Sequence, residues 1–353
     1  MMAKIFFNGP ITLSRFDKVK YPWMRKLTKQ QMGFHWSPEE VELSRDAKDF
    51  KGLSAAEEHI FTSNLKRQIL LDTKQGGEPS RAFGPIASIP ELHNFIKCWE
   101  FFEENIHAWS YQYILENIYP DTSKVYDSID TIPEIQACRK DISKYYDDLI
   151  ECNNNVAHQS DYYDGTLEHK KALWKCLHAV NALEGVRFYV SFACSWAFAE
   201  LKKMEGNAKI IKFIARDENI HLAFTQQMIR ALPKSDPDFI KIAKECKDEV
   251  EQIFKDVAQQ EKDWATYLFK DGSMLGLNAD LLSTFVDHRA YKCATAIGVH
   301  YVPKSRENNL PWTSKWIGGS EVQVAPQETQ QTQYTIGGIN NDVSAGIFKD
   351  FVL

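Results

Sequence analysis

The stretch AVNALEGVRFYVSFACSWAFAE, residues 179 to 200, constrains the fold of this chain more than any other. Between Phe188 and Ala199 it contains no charged residue. A helix apolar on every face must be surrounded by protein or lipid. This run falls well short of the ~20 residues a bilayer span takes, so it reads as the inner helix of a bundle. Glu184 stands one turn before the charge-free run. An ionised carboxylate buried there without compensation costs several kcal/mol, or it takes up a proton. Arg187 is one candidate partner, but a divalent cation in the bundle core compensates Glu184 better.

The rest of the chain supplies a matching set of ligands. Two Glu-x-x-His pairs, Glu104/His107 and Glu218/His221, fall on helix-like segments, and a spacing of three puts both members of a pair on one face. Asp72 follows the apolar triplet Ile69-Leu70-Leu71, and at a helix C-terminus a carboxylate needs a cation nearby. Two lone carboxylates plus two such pairs form the ligand inventory of dinuclear metal bundles. Oxygen-rich ligation with one imidazole per ion suits iron or manganese rather than structural zinc. Tyr111, four residues after His107, shares its face and is a candidate for one-electron oxidation. Phe188, Phe192 and Ile214 are spaced to wall an apolar pocket. Asp217 is placed to accept the second ring N–H of a ligand histidine.

Periodicity predicts an almost entirely helical chain. A capping box, Ser54 with Glu57, opens a helix that Gly76-Gly77 is expected to end near residue 75. A second helix is expected from about 91 to 119, between Pro90 and Pro120. One amphipathic helix is expected around 142 to 150. Further helices are predicted over 167 to 204, from an Asn207 cap to Ala231, and over 236 to 270 and 279 to 298. Residues 1 to 35 and 302 to 320 read as irregular. The boundary between helical domain and tail falls at 320/321, because the polar, Gln- and Gly-rich segment 321 to 353 has little periodicity. It contains one tyrosine, Tyr334, and closes on Phe351-Val352-Leu353, which suits a docking peptide.

The net charge of −6 speaks against a nucleic-acid surface, and no run of apolar residues reaches the length of a membrane span. Seven scattered cysteines without a Cys-x-x-Cys, and an N-terminus without an export pattern, point to a cytoplasmic protein.

The stretches FHWSPEEVELSRD, HIFTSNLKRQILLD, EENIHAWSY, NALEGVRFYVSFACS, MEGNAKIIKFIARDENIH, DGSMLGLNADLL and VQVAPQE carry a more specific signal. Together they resemble the small, radical-bearing subunit of class Ia ribonucleotide reductase of the bacterial and phage type, from about Trp36 onward. The resemblance implies a ferritin-like all-α bundle with added helices. It implies a di-iron centre with Asp72, Glu104 and His107 on one ion and Glu184, Glu218 and His221 on the other, manganese being compatible with the same set. Dioxygen at that centre would oxidise Tyr111 to a stable radical, in a pocket of Phe188, Phe192 and Ile214. Trp36 and Asp217, with His107, would begin the path by which the radical equivalent leaves. Tyr334 would relay it on the tail, and the C-terminus would dock on a large catalytic subunit where ribonucleotides are reduced to deoxyribonucleotides. The small subunit would be a homodimer. Departures are Ala108-Trp109-Ser110, where close relatives carry smaller or basic residues, and the terminal DFVL. Two rivals share the ligand inventory: another di-iron oxygenase, such as a desaturase or hydroxylase, and a ferritin-type iron-binding protein.

Overall fold

A computed structural model describes residues 3–156 and 165–317. In chain order the helices are α1 (Pro22–Gly33), α2 (Ser44–Lys51), α3 (Ala55–Phe83), α4 (Pro90–Phe102), α5 (Ala108–Ile118), α6 (Ser123–Asp127), α7 (Pro133–Val156) and α8 (Leu167–Ala182). There follow α9 (Phe188–Glu200), α10 (Glu205–Ser235), α11 (Asp238–Glu245), α12 (Lys247–Leu268), α13 (Ala279–Ala296) and the short α14 (Ser314–Ile317). Two π turns, Glu103–His107 and Leu183–Arg187, join α4 to α5 and α8 to α9 without breaking either rod. Among the described residues there is no β-strand, only two isolated bridges. No described helix is long and apolar enough to cross a membrane.

The bundle forms around α9. Every residue from Phe188 to Ala199 is buried, as its lack of charge requires. Helix α9 packs on α3 and α10, while α8 packs on α10, α7 and α12. The two long rods and α3 and α10 thus surround one interior, with α7, α12 and α13 adding an outer wall.

Several boundaries differ from the sequence reading. The Ser54–Glu57 capping box does open α3, but the helix runs through Gly76-Gly77 and Pro79 to Phe83. Packing overrides propensity here, because α3 is buried against α4, α7 and α9 over this length. Gly76 also answers a close approach: a Cβ there would lie 2.7 Å from Glu104 Cγ. The arm expected to be irregular contains α1, which begins with Pro22 at a position where its missing N–H costs nothing. The single helix expected near 142 to 150 is α7, much longer, and preceded by α6. Helix α10 starts at Glu205 rather than at an Asn207 cap. Asp46 of α2 caps it instead, accepting from Gly206 N (3.0 Å) and Asn207 N (2.6 Å). Tyr334, the 320/321 boundary and the tail lie outside the described residues.

Candidate metal centre

Four helical segments each bring part of the site inward. Helix α3 carries Asp72, the first π turn carries Glu103 and His107, the second carries Glu184, and α10 carries Glu218 and His221. All six side chains are buried. Their donor atoms form two overlapping groups, Asp72/Glu103/His107/Glu218 and Glu103/Glu184/Glu218/His221, with the atoms in each group within 4.8 Å of one another. Glu103 and Glu218 belong to both groups.

The cluster differs from the expectation at one position. Glu104 is exposed and lies outside the cluster, and Glu103 stands in its place. The cause is the π turn. Its wider i→i+5 winding, seen in the bond from Ala108 N–H to Glu103 O, brings the residue four before His107 beneath it and turns the residue three before it away. The other five expected ligands come together.

Both imidazoles face the cluster with Nδ1. His107 Nδ1 lies 3.2 Å from Asp72 Oδ1, Glu103 Oε2 and Glu218 Oε1. His221 Nδ1 lies 2.7 Å from Glu218 Oε2 and 3.2 Å from Glu103 Oε1. Their far nitrogens are also engaged. His107 Nε2 is 3.3 Å from Asp217 Oδ2, which accepts from the Trp36 indole N–H at 2.8 Å. His221 Nε2 meets the Gln31 side chain of α1 at 2.5 Å. On the opposite side of the first group the Tyr111 hydroxyl donates to Asp72 Oδ2. One oxygen of Asp72 therefore faces the histidine and the other faces the phenol.

Phe188, Phe192 and Ile214 are fully buried in the same core as Tyr111, the two phenyl rings stacked with centroids 5.6 Å apart. Trp109 points outward, 47% exposed, with its indole N–H on Glu39 Oε1 at 2.6 Å. The Trp109 side chain therefore lies on the surface, while its neighbour Ser110 is buried and donates to Ile106 O at 2.6 Å. Arg187, weighed as a partner for Glu184, is committed to Asp141 (2.6 Å) and Glu261 (3.0 Å).

Four supporting residues were not anticipated. Trp99 donates to Glu103 Oε1 at 2.9 Å and stacks on His221, centroids 4.8 Å apart. Gln75 donates to Glu184, and Tyr146 donates to Gln75 Oε1 at 2.7 Å, while Gln31 reaches His221 from α1. Spacing carried a signal for two of them: Gln75 lies three residues after Asp72, and Trp99 four before Glu103.

Whether cations fit can be judged from the carboxylates. Glu184 Oε2 and Glu218 Oε1 are buried and accept no hydrogen bond. Burial, with the charge of Glu218 beside it, pushes Glu184 well above the usual carboxylate range. Burial does the same to Asp72, reinforced by the charge of Glu103. For Glu103 and Glu218 burial is outweighed by the imidazoles, and both are held low. Burial also opposes charging of the histidines, but the carboxylates prevail, raising His107 well above its ordinary value and His221 to about 9. Without cations, these directions favour hydrogens on Asp72, Glu184 and both rings, which lowers the net charge of the cluster. Two divalent cations would replace those protons and satisfy the orphaned oxygens, so the residues fit such a pair.

A pH dependence follows. Above pH 6.5 the folded metal-free protein retains protons that the unfolded chain has released, so stability falls as pH rises toward about 9. His169 and His178, lowered by burial to about 4, titrate below this window. The metal-free thermal midpoint should therefore drop between pH 6.5 and 9. Mn(II) should abolish the drop and release protons on binding, measurable by calorimetry in buffers of different ionisation enthalpy. A metal-free midpoint that climbs with pH in this window would contradict the cluster's charge balance.

A helical bundle that surrounds a buried cluster of four carboxylates and two imidazoles defines the ferritin-like class of dinuclear-metal proteins. The family model "Ribonucleotide reductase, small chain" matches residues 14–309. The chain is 47% identical to the ribonucleoside-diphosphate reductase subunit beta of Haemophilus influenzae and 45% identical to the ribonucleoside-diphosphate reductase 1 subunit beta of Escherichia coli O157:H7, in each case over 99% of this chain and 96% of the relative. It is 39% identical to the subunit beta of Enterobacteria phage T4, over 98% and 95%. Among solved structures it resembles the R2 subunit from Clostridium botulinum, with a TM-score of 0.75 and 25% identity over 89% of this chain and 94% of that one. A dimanganese(II) NrdF from Streptococcus sanguinis shares the fold at a TM-score of 0.65 and 20% identity, over 87% and 100%. The chain belongs to the ribonucleotide reductase small-chain family.

Proposed function

We propose that this chain is the small subunit of a ribonucleoside-diphosphate reductase, holding a tyrosyl radical on Tyr111 beside a pair of iron ions. The observation that carries this reading is the Tyr111 hydroxyl seated on Asp72 Oδ2, whose other oxygen faces the cluster. With dioxygen, the bound ions supply the one-electron oxidant. Asp72, Glu103, His107, Glu184, Glu218 and His221 would hold them. Loss of an electron from the phenol releases its proton, and Asp72 Oδ2 already accepts that hydrogen. Phe188, Phe192 and Ile214 keep water from the ring, which preserves the radical. Burial and the charge of Asp72 both push Tyr111 well above the usual phenol range, so the resting side chain stays protonated.

On the far side of His107, Asp217 and the Trp36 indole form a hydrogen-bonded line out of the cluster. Trp36 is 1% exposed, so the line is shielded from solvent reductants over this length. Tyr334 and the C-terminal segment 321 to 353 would carry the equivalent on to a large catalytic subunit. The complex would contain a homodimer of this chain and work in the cytoplasm. Iron is preferred to manganese because dioxygen is the oxidant in the class Ia pattern that the sequence resembles. Family membership sets aside the desaturase, hydroxylase and iron-storage readings.

Two variants test the delivery half of this reading. Tyr334→Phe should form the Tyr111 radical at wild-type yield but lose at least a hundredfold in nucleotide reduction with the large subunit of a close relative. A chain shortened after residue 320 should keep its metal and radical yet fail to bind that subunit. Turnover undiminished in either would remove the tail from the route.

A further inference from the structure

We propose that Arg67, Glu261 and Arg187 are positioning residues for the metal centre, a buried ion triad that holds the π turn 183–187, and Glu184 with it, in register with α3. The inference rests on the metal reading above and extends it to three residues that contribute no donor atom to either group. The triad joins three elements. Glu261 of α12 accepts from Arg67 of α3 and, through the same Oε1, from Arg187 Nη1 of the π turn at 3.0 Å. The other arm of the Arg187 guanidinium, Nη2, donates to Asp141 Oδ2 of α7 at 2.6 Å and to Gln260 Oε1 of α12 at 2.9 Å. A planar fork held on both arms has one orientation.

Stability does not account for this arrangement. Arg67, Glu261 and Arg187 are each at most 1% exposed. Arg67 Nε and Nη1 and Glu261 Oε2 have no hydrogen-bond partner among the described residues. A buried ion network satisfied only in part is often no more stable than apolar side chains of similar volume. What the triad supplies is direction.

The direction matters at the second π turn. Such a turn is a rare winding that holds one residue more than an α turn. Successive residues of an α-helix differ by about 100° in azimuth, so rewinding 183–187 as α would rotate Glu184 by up to that angle against α9. Arg187 closes the turn, three residues after Glu184. On the facing side, α3 carries Arg67, the ligand Asp72, and Gln75, whose amide donates to Glu184. Glu261 thereby ties the turn that carries Glu184 to the helix that carries its hydrogen-bond donor. Glu184 belongs to one donor group only, so freeing the turn disturbs one ion and spares the other.

The test is Mn(II) binding by the full chain, with free Mn(II) read by electron paramagnetic resonance. Wild type is compared with an apolar variant, Arg67→Met, Glu261→Leu and Arg187→Met together, and with Arg187→Lys. Circular dichroism and the thermal midpoint confirm folding. Arg187→Lys keeps a charge for Glu261 but not the fork, and it carries the comparison where the apolar variant does not fold. Two Mn(II) per wild-type chain establishes the metal reading itself, and failure there overturns that reading rather than this one. Given two sites, each folded variant should bind one Mn(II) as wild type does. It should bind the other at least about tenfold more weakly, the usual cost of losing a residue that orients a ligand. Added to Glu184→Ala, which keeps only the ion that Glu184 does not reach, the same substitutions should leave the affinity for that ion unchanged. Two ions at wild-type affinity, equal weakening of both, or a comparable loss in the Glu184→Ala background would make the triad a purely structural network and overturn the proposal.

Discussion

Tyr111→Phe should load two cations per chain with near-normal affinity and, after ferrous iron and air, show no tyrosyl signal in low-temperature electron paramagnetic resonance. The phenol belongs to neither group of donor atoms, and its named hydrogen bond goes to Asp72. Phenylalanine keeps the ring that packs in the core, so the fold loses little beyond one buried hydrogen bond, about 1–2 kcal/mol. Asp72 loses a donor on Oδ2, while Oδ1 still faces His107 Nδ1 at 3.2 Å. The effect on metal should therefore be slight and the effect on the radical complete. A signal of unchanged shape in this variant would move the radical to another side chain. Loss of metal would instead make the hydroxyl part of the binding site.

That separation of roles was legible in the sequence only because helical spacing is a reliable projection over one or two turns. Asp72, Glu218 and His221 sit where an uninterrupted helix puts them, and so does Tyr111 relative to His107. The apolar run of α9 announced its own burial, and with it the need to compensate Glu184. Prediction failed where the helix changed winding. From Glu104 and His107 the spacing of three pointed to a ligand pair, but the inserted residue of the π turn hands the position to Glu103. No propensity scale marks a π turn, and no local pattern distinguishes Glu103 from Glu104. The same limit hid α1. Its contribution to the centre, Gln31 against His221, joins residues far apart in the chain through packing that no local pattern encodes.

Glu218→Ala should lose both cations, and Glu184→Ala should lose one. The difference follows from sharing. Glu218 contributes an oxygen to both groups, so its removal leaves each with three residues and takes from both histidines one of the two carboxylates they share. Glu184 serves only the group that contains His221, and Asp72, Glu103, His107 and Glu218 remain complete without it. Metal analysis after dialysis against excess Mn(II) should thus give two, one and none for wild type, Glu184→Ala and Glu218→Ala. Stability offers an independent reading. In the metal-free protein Glu184 is buried and pushed toward its protonated form, so it destabilises the fold as pH rises through its native value. Glu184→Ala removes that contribution at the cost of a small cavity, so its metal-free thermal midpoint should depend less steeply on pH than that of wild type. Glu218 is held low by the two imidazoles, so its removal leaves them short of a counter-charge and should lower the metal-free midpoint throughout the range from pH 6.5 to 9. Two cations retained in Glu218→Ala would mean that the shared carboxylate is not what joins the two halves of the site.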